Sequence, residues 1–171
     1  NRFVDSMPFV PSDNEKRAQR CKEIFAIQAS GLAKRIEHVG SNGVVVGISG
    51  GLDSTLALLV SVSAMKLLGK NNSDILGVTM PGFGTTDRTY QNAIDLMKSL
   101  GVTIKEISIK DACVLHMKDI EHDSLVKDIT YENTQARERT QILFDLANKH
   151  GKLLVGTGDL SELAMGWCTY N

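Results

Sequence analysis

Several kinds of residue are scarce in this chain, and each scarcity removes a class of protein. Among 171 residues there are three cysteines, Cys21, Cys113 and Cys168. Odd in number and widely spaced, they exclude a disulfide framework, and no pair makes the C-x-x-C of a zinc or redox site. They suit a reducing compartment, so a cytoplasmic location is expected. An excess of charge of one sign is also missing. The net charge of −1 gives no support for a nucleic-acid or membrane surface, and a small molecule is the expected partner. Long hydrophobic runs are absent too. The most apolar stretch, Leu56 to Leu68, is too short and too interrupted by serine to span a bilayer, and no secretory signal is present. There is no internal repeat and no low-complexity segment. What is left, 42% hydrophobic and 23% charged, describes an ordinary globular chain able to bury a core, most simply as one domain.

The most informative stretch is a strand-like run, Gly43-Val44-Val45-Val46-Gly47-Ile48, that empties into Ser49-Gly50-Gly51-Leu52-Asp53-Ser54 and an apolar helix. A buried strand, a glycine turn and a helix N-terminus together leave backbone N–H groups unpaired at the positive end of the helix dipole. Such a place binds phosphate oxygens. Ser49 and Ser54 add hydroxyls, and Asp53 sets a carboxylate beside the anion site, as suits a bridging divalent cation. The loop is not a Walker A motif, since no lysine precedes Ser54. Gly47, Ser49 and Gly51 do satisfy G-x-S-x-G, the nucleophile elbow of serine hydrolases, which also requires an acid and a histidine; His116, His122 and His150 lie downstream. From Ser49 to Ser54 the chain also matches the SGGxDS loop of enzymes that split ATP between its α and β phosphates. The plainest alternative is a tight turn in which Asp53 and Ser54 only cap the helix.

Pattern along the chain predicts a linker over residues 1–12, then a capping box at Ser12 to Glu15. That box opens a helix whose buried stripe is Ala18, Cys21, Phe25, Ala29, Leu32 and Ile36. After the first strand and the loop come a buried apolar helix from Ser54 to Leu68, a strand over 75–80 and a helix capped by Thr85 or Thr86. A third strand over 102–109 follows, then a short helix and a mobile loop within 111–130. A helix from Tyr131 to His150 ends at Gly151, a fourth strand spans 153–156, and Asp159 opens a last helix. Apolar strands alternating with helices predict a doubly wound α/β fold with a parallel sheet covered on both faces. If strands one and four are neighbours, the Ser49 and Thr157 loops face each other across the ligand crevice.

Two further stretches carry polar residues in suggestive places. In Gly156-Thr157-Gly158-Asp159-Leu160-Ser161-Glu162, Ser161 occupies the position of the third Rossmann glycine, so a dinucleotide fingerprint is weak, and Asp159 with Glu162 fits a capping box. Trp167 and Tyr170 serve either as core anchors or as flat surfaces for a ring. In Tyr131-Glu132-Asn133-Thr134-Gln135-Ala136-Arg137-Glu138-Arg139-Thr140, Asn133 and Arg137 lie one turn apart on the shoulder of a helix. That segment is either a solvated charged face or a place where Arg137 clamps a carboxylate or phosphate.

SGGLDST, ENTQARERT and GTGDLSELAMGWCTYN, in this order and at these separations, resemble the synthetase domain of NAD synthetases. The opening FVPSDNEKRAQRCKEIFAIQASGLAKRI is similar to the segment that joins this domain to the glutaminase domain of the glutamine-dependent members. The first motif is shared with other synthetases that split ATP in the same way, GMP synthetases among them; the later two are more specific. The resemblance implies a Rossmann-like, three-layer fold of the adenine nucleotide α-hydrolase type over residues 13–171. It also implies an ATP-dependent amidation of deamido-NAD to NAD through an acyl adenylate, with AMP and pyrophosphate released. On the family pattern Gly47, Ile48, Ser49, Gly50, Gly51, Leu52, Asp53, Ser54 and Thr157 contact ATP, with Ser49, Asp53 and Ser54 closest to the chemistry. Asn133, Arg137, Glu162, Trp167, Cys168, Thr169 and Tyr170 face deamido-NAD, and Asp53 and Glu162 hold magnesium. A homo-oligomer is implied, with ammonia supplied by a glutaminase domain. No cysteine here sits in the context of a glutaminase nucleophile. The family continues past Asn171 to a further ATP-holding lysine, so these residues alone are expected to form part of a longer enzyme and to be inactive by themselves.

Overall fold

The computed structural model describes Met7 and residues 10–166. Four parallel strands, β1 (Val44–Gly47), β2 (Ile75–Thr79), β3 (Thr103–Glu106) and β4 (Leu153–Val155), lie in the order β3-β2-β1-β4. Their connections are helices: α2 (Leu52–Leu67) joins β1 to β2, and α3 (Asp87–Ser99) joins β2 to β3. α4 (Lys110–Asp119) and α5 (Ile129–His150) lead back to β4. Alternation along the strands divides the core into two layers. Val44, Val46 and Ile75 pack with Ile36 of α1 (Asn14–His38), Leu58 and Met65 of α2, and Ala93 and Met97 of α3. Val45, Leu76 and Val78 pack on the other face with Cys113 and Met117 of α4 and Tyr131, Leu146 and Ala147 of α5. This is the doubly wound, three-layer arrangement that the sequence predicts.

The winding reverses at β1. The chain moves outward through β2 and β3, crosses beneath the sheet, and returns as β4 on the other side of β1, with Val44 opposite Leu153 and Val46 opposite Val155. Strands one and four are therefore neighbours. The Ser49 and Thr157 loops both leave the carboxyl ends of this pair, where open α/β sheets bind ligands.

Five local expectations change. Asp13, not Ser12, caps α1: its carboxylate accepts from Lys16 N–H at 2.9 Å, an ionised acceptor at the dipole's positive end. Only Ala29, Ala33 and Ile36 of α1 are buried, while Ala18 and Cys21 are exposed and Phe25 half-buried. The helix thus docks by its second half. α2 is apolar all round but buried on one side only, with Leu52, Leu56 and Leu59 exposed. β3 is shorter than expected because it is an edge strand. Past Glu106 the chain leaves the regular ladder, although Ile107 and Ile109 N–H groups still donate to the Thr79 and Pro81 carbonyls. The segment expected as a mobile loop is a turn in which Asp123 Oδ1 accepts from Leu125 N–H and the His122 ring meets the Val126 carbonyl. Among the described residues no helix is long and apolar enough to cross a membrane.

Candidate active site

Gly51 is the N-cap of α2 and supplies no side chain to the helix's first turn. The amides there keep their donors for a ligand. The loop before it is held by its own hydroxyls. Ser54 Oγ donates to the Gly51 carbonyl (3.1 Å) and accepts from Ser49 N–H (3.3 Å), with Ser49 Oγ 3.2 Å away. Since the Ser54 proton is directed at Gly51, Ser49 is the donor of that hydroxyl pair, and its oxygen also accepts from Gly51 N–H at 3.2 Å. Ser54 is buried and works inside the loop, whereas Ser49, Leu52 and Asp53 are exposed at its mouth. Gly50 has φ +85°, and a Cβ there would overlap the carbonyl oxygen of Thr89 in the first turn of α3. Glycine is thus required at this position on two grounds, backbone conformation and space. Gly47 packs closely too, against Leu143 of α5.

After the neighbouring strand, Thr157 is half-buried just past β4. Asp159 caps the short helix α6 (Leu160–Met165) in a reciprocal box: Glu162 N–H donates to Asp159 Oδ1 at 2.7 Å, and Asp159 N–H donates to Glu162 Oε2 at 3.1 Å. Glu162 is therefore a capping residue, as one of its sequence readings has it, with no partner for its second oxygen among the described residues. Asn133 is half-buried and Arg137 exposed, and neither side chain is hydrogen-bonded among the described residues. Trp167, Cys168, Thr169 and Tyr170 lie outside the described residues.

The residues that sequence reasoning missed lie between these. Gln135 and Arg139, in the segment open to reading as a solvated charged face, turn inward. Gln135 is 4% exposed; its Oε1 accepts from Phe83 N–H at 3.2 Å and its Nε2 donates to the Tyr131 carbonyl at 3.2 Å. Arg139 Nε donates to the Met80 carbonyl at 3.2 Å, and burial lowers its pKa. With Tyr131 they form an i, i+4, i+8 stripe, a spacing visible in the sequence. Tyr131 also backs Phe83, with ring centroids 5.6 Å apart.

A helix N-terminus without a side-chain cap, paired serines and a threonine loop on the adjacent strand, all at a topological switch point, suit a nucleotide. The hydrolase alternative finds no support: Ser49 is bonded to Ser54 and Gly51, and among the described residues no histidine hydrogen-bonds to it. The family model described as NAD synthase matches residues 24–171. The chain belongs to the NAD synthase family. It is 50% identical over 173 aligned residues to the glutamine-dependent NAD(+) synthetase of Mycobacterium leprae, covering 99% of this chain and 25% of that protein. It is 36% identical to the NH(3)-dependent NAD(+) synthetase of Pyrobaculum aerophilum, covering 81% of this chain and 50% of that one. The glutamine-dependent NAD+ synthetase of Acinetobacter baumannii, solved in complex with ADP, superposes with a TM-score of 0.79 at 32% identity, over 86% of this chain and 27% of that chain. The chain thus spans about a quarter of the length of the glutamine-dependent relatives it matches. Membership of the NAD synthase family decides between the SGGLDS enzymes and sets aside the GMP synthetase alternative.

Proposed function

We propose that the protein to which this chain belongs converts deamido-NAD to NAD, using ATP and ammonia. A carboxylate cannot expel oxide at neutral pH. The nicotinate carboxylate must therefore first attack the α-phosphorus of ATP, giving an acyl adenylate and pyrophosphate, after which ammonia displaces AMP. In this reading the amides of the α2 first turn receive the charge that develops on the departing pyrophosphate, joined by the Ser49 hydroxyl once its proton turns from Ser54 to a phosphate oxygen. Gly47 to Ser54 and Thr157 hold ATP, while Asn133, Arg137, Glu162 and Trp167 to Tyr170 face the dinucleotide. The observation that carries the reading is the uncapped α2 terminus at the β1–β4 switch point, in a chain of this family.

Asp53 and Glu162 fit a magnesium ion chemically. They are two carboxylates with uncommitted hard oxygens, the number magnesium commonly takes from protein when a nucleotide completes its shell. Among the described residues no cluster of three metal-ligating side chains exists that would hold an ion without the nucleotide. Magnesium there would neutralise phosphate charge, with Asp53 and Glu162 as the residues that would hold it. We also place within this reading a synthetase domain over residues 13–171 behind a linker, ammonia released from glutamine by a separate domain, a homo-oligomeric assembly and a cytoplasmic location.

The test is product analysis on the full-length protein. With ATP, deamido-NAD, magnesium and ammonia, we expect NAD, AMP and pyrophosphate in equal amounts. Formation of ADP and phosphate, or nucleotide cleavage indifferent to deamido-NAD, would refute the reaction.

A further inference from the structure

We propose that Gln135 and Arg139 are positioning residues for the phosphate loop: from α5 they hold the β2–α3 connection, and that connection seats α3 against Gly50. The first link is a pair of side-chain to backbone bonds. Arg139 takes the carbonyl of Met80, the residue just past β2, and Gln135 takes the N–H of Phe83. Between them lies Gly82, where an added Cβ would come within 2.7 Å of both Arg139 Nη2 and Gln135 Oε1. The connection therefore lies close against the ends of the two side chains. Two more contacts close the corner: Gly82 N–H donates to Thr85 Oγ1 at 2.9 Å, and the Pro81 carbonyl accepts from Ile109 N–H at 3.2 Å.

The second link is α3 itself. Its N-cap is Thr86, three residues past Phe83. Its first turn presents the Thr89 carbonyl to Gly50, at a separation only glycine permits. A shift of the Met80–Phe83 corner moves Thr86 and Thr89, and Gly50 has no side chain with which to accommodate the movement. The α2 amides lie immediately after it. Displacements of about 1 Å in a binding loop cost up to about 100-fold in function, so a clamp remote from the phosphates has leverage over them. The same helix carries Asn133 and Arg137 two residues before each of this pair, on a different face.

A polar pair turned inward, Gln135 buried and Arg139 half-buried, is worth keeping only if every member is satisfied. Gln135 uses acceptor and donor alike, and no buried side-chain nitrogen or oxygen is without a partner among the described residues. An ordinary interior contact between α5 and β2 would be served as well by leucine and methionine. The choice of two polar groups aimed at two backbone atoms of one loop points to placement of that loop.

The experiment is titration of the full-length protein with α,β-methylene ATP and magnesium, a nucleotide that cannot be split at the bond in question, and separately with deamido-NAD. Gln135→Leu and Arg139→Met preserve bulk but remove the loop contacts; Arg139→Lys retains a donor. Gln141→Ala, exposed on the same helix, is the control. We expect the dissociation constant of the analogue to rise about 10- to 100-fold in the first two variants, to return to within about threefold of the parent in Arg139→Lys, and deamido-NAD affinity to hold. Unchanged analogue affinity in either folded variant overturns the proposal. So does a parallel loss of both ligands with a lowered melting temperature, which marks a general packing role. If one variant fails to fold, the other decides. The inference rests on the nucleotide-binding half of the proposed function. A protein that binds the analogue yet makes no NAD counts against the reaction and not the clamp, and one that binds no analogue refutes both.

Discussion

At Gly50 two requirements meet in one residue: a backbone at φ +85° and a surface flat enough for the Thr89 carbonyl. Alanine there would suffer the left-handed penalty, about 1–2 kcal/mol, and would also have to push α3 away. Gly50→Ala in the full-length protein is therefore expected to lower stability by more than about 1 kcal/mol and to abolish binding of α,β-methylene ATP. Denaturant unfolding and calorimetric titration measure the two effects. Retained affinity would show that the loop tolerates being lifted from α3. Gly51 differs, since a Cβ there would meet only Ser49 Oγ at 3.3 Å; its role is to leave the amides open. The sequence shows both glycines but not which is locked and which is free, because that depends on Thr89, a residue on another helix. For the same reason Ser54 was legible as a hydroxyl in the loop but not as its internal brace. Gln135 and Arg139 were hidden by their polarity: nothing local tells a buried polar side chain with a backbone partner from a solvated one.

Among the elements, α5 has the most to position and is fixed at both ends. Gly151 closes it in the left-handed conformation, as its sequence predicts. At its start Asp128 Oδ1 accepts from Thr130 N–H at 2.9 Å and Tyr131 N–H at 3.0 Å, and the His122 ring lies 3.4 Å from the same carboxylate. The bond from Tyr131 first, with His122 assisting, holds the Asp128 pKa below its ordinary value. A lowered carboxylate pKa stabilises the fold above the unfolded value of about 3.9 and loses that effect as pH falls through the folded one. Asp128→Ala is thus expected to melt below the parent at pH 7, and the difference should shrink as pH drops below about 4. A difference independent of pH across that range would show that the carboxylate's charge contributes nothing. The start of α5 was two residues early of the sequence reading, since the cap lies in a polar stretch without periodicity. α1 shows the opposite error: its periodicity continues through Ala18 and Cys21, but only its second half is buried, at Ala29, Ala33 and Ile36.

The architecture of the whole molecule was the most legible. Strand number and parallel pairing follow from apolar runs alternating with helices, whereas the pairing of β1 with β4, only a condition in the sequence, is supplied by the structure. This is why two loops 108 residues apart in sequence (Ser49 and Thr157) leave adjacent strands at one end of the sheet. The account's central claim is that the amides opening α2, with Ser49, receive the β and γ phosphoryl groups of ATP. Crystals of the full-length protein soaked with α,β-methylene ATP and magnesium test it most directly. Both phosphoryl groups are expected within hydrogen-bonding distance of the backbone from Gly50 to Ser54, with the α-phosphorus open toward the Thr157 side. A nucleotide bound with its phosphates elsewhere, and this loop bare beside it, would contradict the account.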